Sequence, residues 1–550
     1  MGSPRGKGSR NRSQNQKVDK QRNINNHSAS GKDKSVPKRE DADKQVSKVT
    51  TARTSPLNDI SWYDHNPDLT KAAASIPFPY RPGMSIPMSA ASPDYKTAVP
   101  GVIAVDWAPS IGRAQSVSDP ASIAAKEIYA QVRKAYSGSL DADAPDFVIY
   151  LLALDSIYSY ISYLRRIYGV LNQYSAVNFV LPDQILHMMK LDDDDVTQLR
   201  SNKMQLFQCI VDLTLRARKF ACPYVFDYLS RHFWMNENVY MDAASMNAQF
   251  FLYNQVAFYK YSMLNTPDSV LAGGLVCQEG PNNGKAVTVD TLYNYGLDLI
   301  SALASSEDAY TISGYLMRAY EGSAAFTLPD LDYGYSVDPV FVPEVLTQFE
   351  NTFCVENYFY NGDCVEMGAL TTNNITQDPR TNTLLCSPEV VVPTELNSIV
   401  NGPVGVTKPF LNMHVDAPTD KEVMIASRMI AHIAFDTSEK SIILCGSEIP
   451  IRMRMFIPTG SGLANQVFNV LVLGMDETIG GSASTLQVLF KLTNFNNGPM
   501  CRVYRRADSG AFAADVAVIG DMHNATSLSV DALDNINRVA MYSEFGVFGR

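Results

Sequence analysis

Fourteen cationic side chains stand in the first tenth of the sequence, and theirs is the plainest chemistry in it: Arg5, Lys7, Arg10, Arg12, Lys17, Lys20, Arg22, Lys32, Lys34, Lys38, Arg39, Lys44, Lys48 and Arg53. A Lys or Arg beside a phosphate releases condensed counterions, which gives an affinity indifferent to base sequence and weakened by salt. The first seven recur every two to five residues with little acidic interruption, whereas Lys32–Arg39 is diluted by Asp33 and followed by Glu40, Asp41 and Asp43. No aromatic residue interleaves with them, so stacking on single-stranded bases is not indicated. These residues are the candidate contacts to a polyanion; a solubilising tail or a localisation signal is the bland alternative.

Other constellations fall short of chemistry. Asp192–Asp195 set four carboxylates in a row. A divalent cation needs oxygen ligands gathered by a folded loop, and contiguous aspartates point in different directions. The run reads instead as the acidic start of a helix, matched to its dipole. Gly280–Ala286 (GPNNGKA) is one residue short of a phosphate loop and lacks the hydroxyl that would meet Mg²⁺, so it reads as a turn. The seven histidines (His27, His65, His187, His232, His414, His432 and His523) have no metal-ligand spacing, and no G-x-S-x-G elbow is present. Phe435-Asp436-Thr437-Ser438 has a serine where an aspartic protease has the glycine of D-T-G, and a turn before a strand explains it equally. No catalytic residue, metal site or cofactor is assigned, and an enzyme is not expected. The eight cysteines never form C-x-x-C, and no secretory signal is expected. They read as reduced thiols, and the sequons at Asn374 and Asn524 as chance matches.

The charge is divided. Of 550 residues, 1–55 carry 14 Lys and Arg against 5 Asp and Glu, a net of +9, leaving the other 495 residues at −20. A basic tail on an acidic body points to a polyanion that meets the tail alone. The tail has no leucine and no aromatic residue, so it cannot bury enough apolar surface to offset its ordering entropy, and disorder is expected.

The element around which the body is organised is predicted over Asp146–Tyr168. Tyr150, Leu154, Ile157, Ile161, Leu164 and Tyr168 share one helical face, Phe147, Leu151 and Tyr158 extend it, and Asp155, Ser159, Ser162 and Arg166 form a narrow polar seam. Such a helix is buried on most sides. Its longest uncharged run, Phe147–Leu154, is far below the roughly 20 residues a bilayer needs, so no membrane span is expected. Pro145 marks its start and Gly169 its stop. Further helices are predicted from Ser118-Asp119-Pro120 onward, continuously over 192–219, over 223–235, 288–304, 305–320 (Ser305 and Asp308 as a cap pair, Gly322 at the stop), 421–431 with a Thr419–Glu422 capping box, and 529–540. Period-two alternation predicts strands over 449–457, 467–474, 486–492 and 501–505.

The fold class is therefore mainly α with a smaller β-containing part, α+β. The expected division is a disordered basic arm 1–55, a Pro-rich extended connector 56–110 with nine prolines, a helical domain 111–322, a loop-rich, outward-facing region 323–415, and an α+β part 416–550. The connector reads as non-helical and draped over a surface, a neighbouring subunit's among the candidates.

This whole plan resembles the capsid proteins of picobirnaviruses, whose genome is double-stranded RNA. The basic arm (SRNRSQNQKVDKQRNINN), the Pro-rich connector (SIPFPYRPGMSIPM), the Tyr-rich helical body 118–320 and the β-containing end carry the resemblance. Partitivirus capsids are similar. The resemblance implies a mainly helical shell protein that dimerises and closes into a small icosahedral particle. It also implies an arm turned inward on viral RNA, polymerase packaged inside, assembly in host cytoplasm and residence in the virion. A cellular RNA-binding scaffold with a basic tail is the alternative class, though neither repeats nor a known RNA-binding module supports it.

Overall fold

A computed structural model describes residues 60–77, 85–87, 96–98, 101–173, 181–244, 248–282, 286–355, 357–360, 363–366, 370–390, 409–435, 440–459, 462–469, 472–475, 497–498, 501–506, 512–519 and 522–547. The chain forms two units, Met1–Pro77 and Phe78–Arg550. The first contains helix α1 (Pro67–Ala74), started by Pro67 and by Asn66, whose side chain accepts from the Leu69 amide at 3.3 Å. This helix lies in a stretch expected to be non-helical; a proline at the first helical position gives up an N–H that would be orphaned anyway.

In the second unit, α3 (Ala144–Asn172) is the central element. Asp143 and Asp146 cap each other's backbone around Pro145, and nearly every residue from Ala144 to Val170 is buried. By length and composition it could cross a membrane, but its apolar window lies wholly inside the protein. Helices α2 (Pro120–Ala135), α6 (Lys203–Ala217), α7 (Asp227–Glu237) and α8 (Val289–Ala304) pack around it.

A five-stranded sheet lies beside the helices, in the order β8 (Gly462–Asn469), β7 (Glu448–Thr459), β1 (Val102–Pro109), β3 (Phe250–Gln255), β2 (Tyr240–Met241). β1 is buried along its whole length. Val102 and Ala104 face the core built on α3, while Ile103, Val105 and Trp107 face a second core with Phe251, Tyr253, Phe349 and Met453. The strand is apolar on both faces, so its sequence lacks the alternation that marks a half-buried strand, which is why it read as connector. β1 runs parallel to β3 and antiparallel to β7, so residues some 350 apart in sequence share one ladder, as Arg454 does with Ala104.

Other boundaries differ from expectation for local reasons. The predicted helix over 192–219 is two, α5 (Asp193–Ser201) and α6, broken at Asn202, whose side-chain amide donates to the Gln198 carbonyl at 3.0 Å. The stretch 223–235 begins with the strand Cys222–Pro223 before α7 starts at Asp227. Ser306, not Ser305, is the N-cap of α9 (Glu307–Ala319), and Gly322 takes the expected left-handed φ of +105°. The helix beginning at the Thr419–Glu422 capping box ends early: α11 spans Asp420–Ala426, and the chain turns into the strand Ala431–Phe435. The C-terminal helix α12 spans Val530–Glu544. The predicted strand 486–492 lies outside the described residues.

Gly169 does not end α3. A Cβ there would lie 2.6 Å from Val337 Cγ2 and 2.8 Å from Tyr335 Cε1, so the glycine admits a strap, residues 329–341, laid along the helix. The region 323–415, expected to be loop-rich, holds short strands among its described residues, and also helix α10 (Pro343–Glu350), whose Val345, Leu346 and Phe349 are buried. Together these elements are mixed α+β, mainly helical, as expected.

Candidate functional site

The fourteen cationic residues from Arg5 to Arg53 lie outside the described residues, as do residues 283–285 of the Gly280 turn and Asp436, Thr437 and Ser438. The aspartate run is described. Asp192 Oδ1 accepts from the Asp195 amide at 2.8 Å, and Asp195 Oδ1 from the Val287 amide at 2.7 Å; Asp193 lies 3.1 Å from His187. These carboxylates start α5 and fasten the approach to α8. Among the described residues no group of three or more His, Cys, Asp or Glu is arranged to hold a metal ion. Cys222, Cys277, Cys386 and Cys445 carry free thiols, and burial pushes Cys277 up to about 12.

Sequence reasoning missed a buried ionic cluster where five segments meet. Asp155 comes from α3, Arg231 and His232 from α7, Arg428 from the turn after α11, Ser447 and Glu448 from the start of β7, and Glu544 from the end of α12. Its one signal in the sequence is the polar seam, in which Asp155 is the one carboxylate. His232 Nδ1 lies 3.0 Å from Asp155 Oδ2, and His232 Nε2 lies 3.2 Å from Ser447 Oγ and 3.3 Å from Glu448 Oε1. Arg231 pairs with Glu448, and Arg428 with Glu544.

Ser447, His232 and Asp155 thus stand in the order of a nucleophile, its base and an orienting acid. Their surroundings give them another role. All three are wholly buried, Ser447 Oγ accepts from Arg428 Nη2 at 3.1 Å, and it lies 3.0 Å from Glu448 Oε1, so its one proton has two claimants. Burial first, then the charges of Arg231 and Arg428, hold His232 well below its ordinary value. Burial first, then Glu544, holds Asp155 well above the carboxylate range. Both shifts favour neutral forms, which suits a structural tie.

The family model for the picobirnavirus capsid protein matches residues 62–495. The chain belongs to the picobirnavirus capsid protein family. Among curated relatives, the capsid protein precursor of a human picobirnavirus (strain Human/Thailand/Hy005102/-) is 30% identical over 327 residues. That similarity covers 58% of this chain, and the chain spans 58% of that relative's length. The crystal structure of a picobirnavirus capsid superposes with a TM-score of 0.72 at 22% identity, covering 88% of this chain and 98% of the other. The fold is thus that of a picobirnavirus capsid chain. Membership places the protein among structural capsid proteins of a double-stranded RNA virus.

Proposed function

We propose that this chain builds the shell of a picobirnavirus particle by self-assembly, through dimers, into a small icosahedral capsid around double-stranded RNA. The family match over residues 62–495 is the observation that carries the reading. That match begins beyond the basic arm, and the arm's net charge of +9 over residues 1–55 against −20 for the rest supports its role as the RNA contact. Viral polymerase is packaged inside, assembly takes place in host cytoplasm, and the finished protein resides in the virion. The exposed anchors Trp62, Tyr63 and Ile76 suit a segment that gains its burial on a second copy of the chain.

Negative-stain imaging of the purified protein tests the shell, and deletion of residues 1–55 tests the arm. Closed particles of uniform size are expected. The truncated chain should fold while its particles shift in absorbance ratio toward pure protein. Equal RNA content in full-length and truncated particles would remove the arm from the reading, and a protein that stays monomeric would remove the shell.

A further inference from the structure

The cluster at Asp155 and His232 has a charge count that fixes how many protons it holds. Two cations, Arg231 and Arg428, meet two anions, Glu448 and Glu544; besides the direct pairs, Arg231 Nη1 lies 3.8 Å from Glu544 and Arg428 Nη2 lies 3.5 Å from Glu448. These four cancel. What remains is Asp155 beside His232, and that pair is neutral only when it holds one proton, as acid beside imidazole or carboxylate beside imidazolium. With none it is an anion and with two a cation, and a net charge sealed from water is penalised in either case.

The surroundings leave no relief for such a charge. Asp155 and His232 are wholly buried. The imidazole is walled by Trp107 of β1 and Tyr228 of α7, with ring centroids 4.8 and 4.4 Å away. The Tyr228 hydroxyl is turned away, donating to the Ser110 carbonyl at 3.2 Å. Asp227, at the start of α7, is the further carboxylate near Glu544.

We propose that this cluster is a joint locked by a single shared proton, holding α3, α7, β7 and α12 together in mild acid and loosened from neutrality upward. The count of protons gives the sign. In the unfolded chain Asp155 titrates near 3.8 and His232 near 6.5, so between those values the unfolded pair also holds one proton, on the histidine. Folding then moves no net proton, and the contribution of the pair to stability is flat. Above 6.5 the unfolded pair holds none while the folded pair keeps one, so stability falls as pH rises. Below 3.8 the unfolded pair holds two against one, and stability falls again. An isolated buried histidine would lose stability in mild acid; sharing the proton with Asp155 removes that weakness.

Native-state hydrogen exchange of the full chain, read by mass spectrometry in peptides spanning 150–160 and 228–236, reports the opening of the joint once intrinsic exchange is corrected. In the wild type the opening constant should be level from about pH 4 to 6.5 and then rise about tenfold per unit toward about pH 8.5. Asp155→Asn keeps an acceptor for the imidazole and removes the shared proton. Its opening should be level above 6.5 and should increase on acidification below it, because His232 then titrates alone. A wild-type profile without a rise above 6.5 overturns the proposal. So does an Asp155→Asn profile identical to the wild type; should that variant not fold, the wild-type profile alone decides.

Discussion

One helix buries polar groups in two ways. Along α3, five tyrosines send their hydroxyls out as pegs: Tyr150 to the Ala221 carbonyl at 2.9 Å, Tyr158 to Phe220 at 3.0 Å, Tyr160 to Leu292 at 2.7 Å, Tyr163 to Met189 at 3.2 Å and Tyr168 to Tyr333 at 2.6 Å. Between them, on the polar seam, Asp155 enters a cluster of full charges. The pegs are neutral on both sides of the bond, so each is nearly self-sufficient, and losing one orphans at most one acceptor. Members of the charged cluster are neutral only together. The pegs should therefore withstand single substitutions and a wide pH range better than the joint does.

The largest effect should come from removing one charge of the joint. Glu448→Ala leaves Arg231 and Arg428 facing Glu544 alone; breaking a fully buried pair costs about 3–5 kcal/mol, and because the Arg231 side chain is 19% exposed the loss should fall at the lower end of that range. Replacing Arg231 and Glu448 together by Met and Leu restores the charge count, and most of the loss should be recovered, since well-packed apolar substitutes for buried pairs are often neutral or stabilising. Denaturant midpoints of the two variants decide it. If the double variant is no better than Glu448→Ala, the joint owes its stability to something other than charge balance.

The pegs and the joint also differ in how far the sequence announced them. Helix α3 was legible because its apolar residues repeat at three and four, a signal that needs no partner. The acidic start of α5 and the Thr419–Glu422 capping box were legible because capping is settled within four residues. β1 was not, because a strand covered on both faces shows no alternation, and its partners at 250–255 and 448–459 are distant in the chain. The joint gathers residues from 155 to 544, and no local pattern ties His232 to Ser447. Tyrosine is abundant in the sequence, and Tyr150, Tyr158, Tyr160, Tyr163 and Tyr168 are in the core of the subunit itself. Composition counts such residues but does not place them.

A smaller effect should follow where the strap crosses α3. Gly169→Ala adds a methyl group 2.6 Å from Val337 Cγ2, and overpacking of this kind costs about 1–3 kcal/mol. Alanine returns about 1 kcal/mol of helix propensity, so the net loss should be about 0–2 kcal/mol. The change should show locally, as faster proteolysis within 329–341, because the strap rather than the helix can yield. Unchanged cleavage there would mean that the strap does not rely on that contact.

The smallest effects belong to single pegs, and here the two regions can be separated by pH. Tyr158→Phe removes a hydroxyl from the Phe220 carbonyl, a group beyond the end of α6, and should cost about 0.5–1.5 kcal/mol. Tyr160→Phe should cost less, because Leu292 lies in α8, where its carbonyl keeps a partner within the helix. Burial raises the ionisation of Tyr158 and Tyr160 above the ordinary value of 10.0. A raised value means that the folded hydroxyl keeps its proton after the unfolded one has lost it. The contribution is therefore whole below 10.0 and declines only above it. Between about pH 6 and 9 both penalties should be constant, while the opening of the joint changes over the same interval. Hydrogen exchange of the two variants against the wild type across that interval measures both at once. A Tyr158→Phe penalty that drifts in step with the joint would show the pegs and the cluster to be one coupled network, and the contrast between them would be lost.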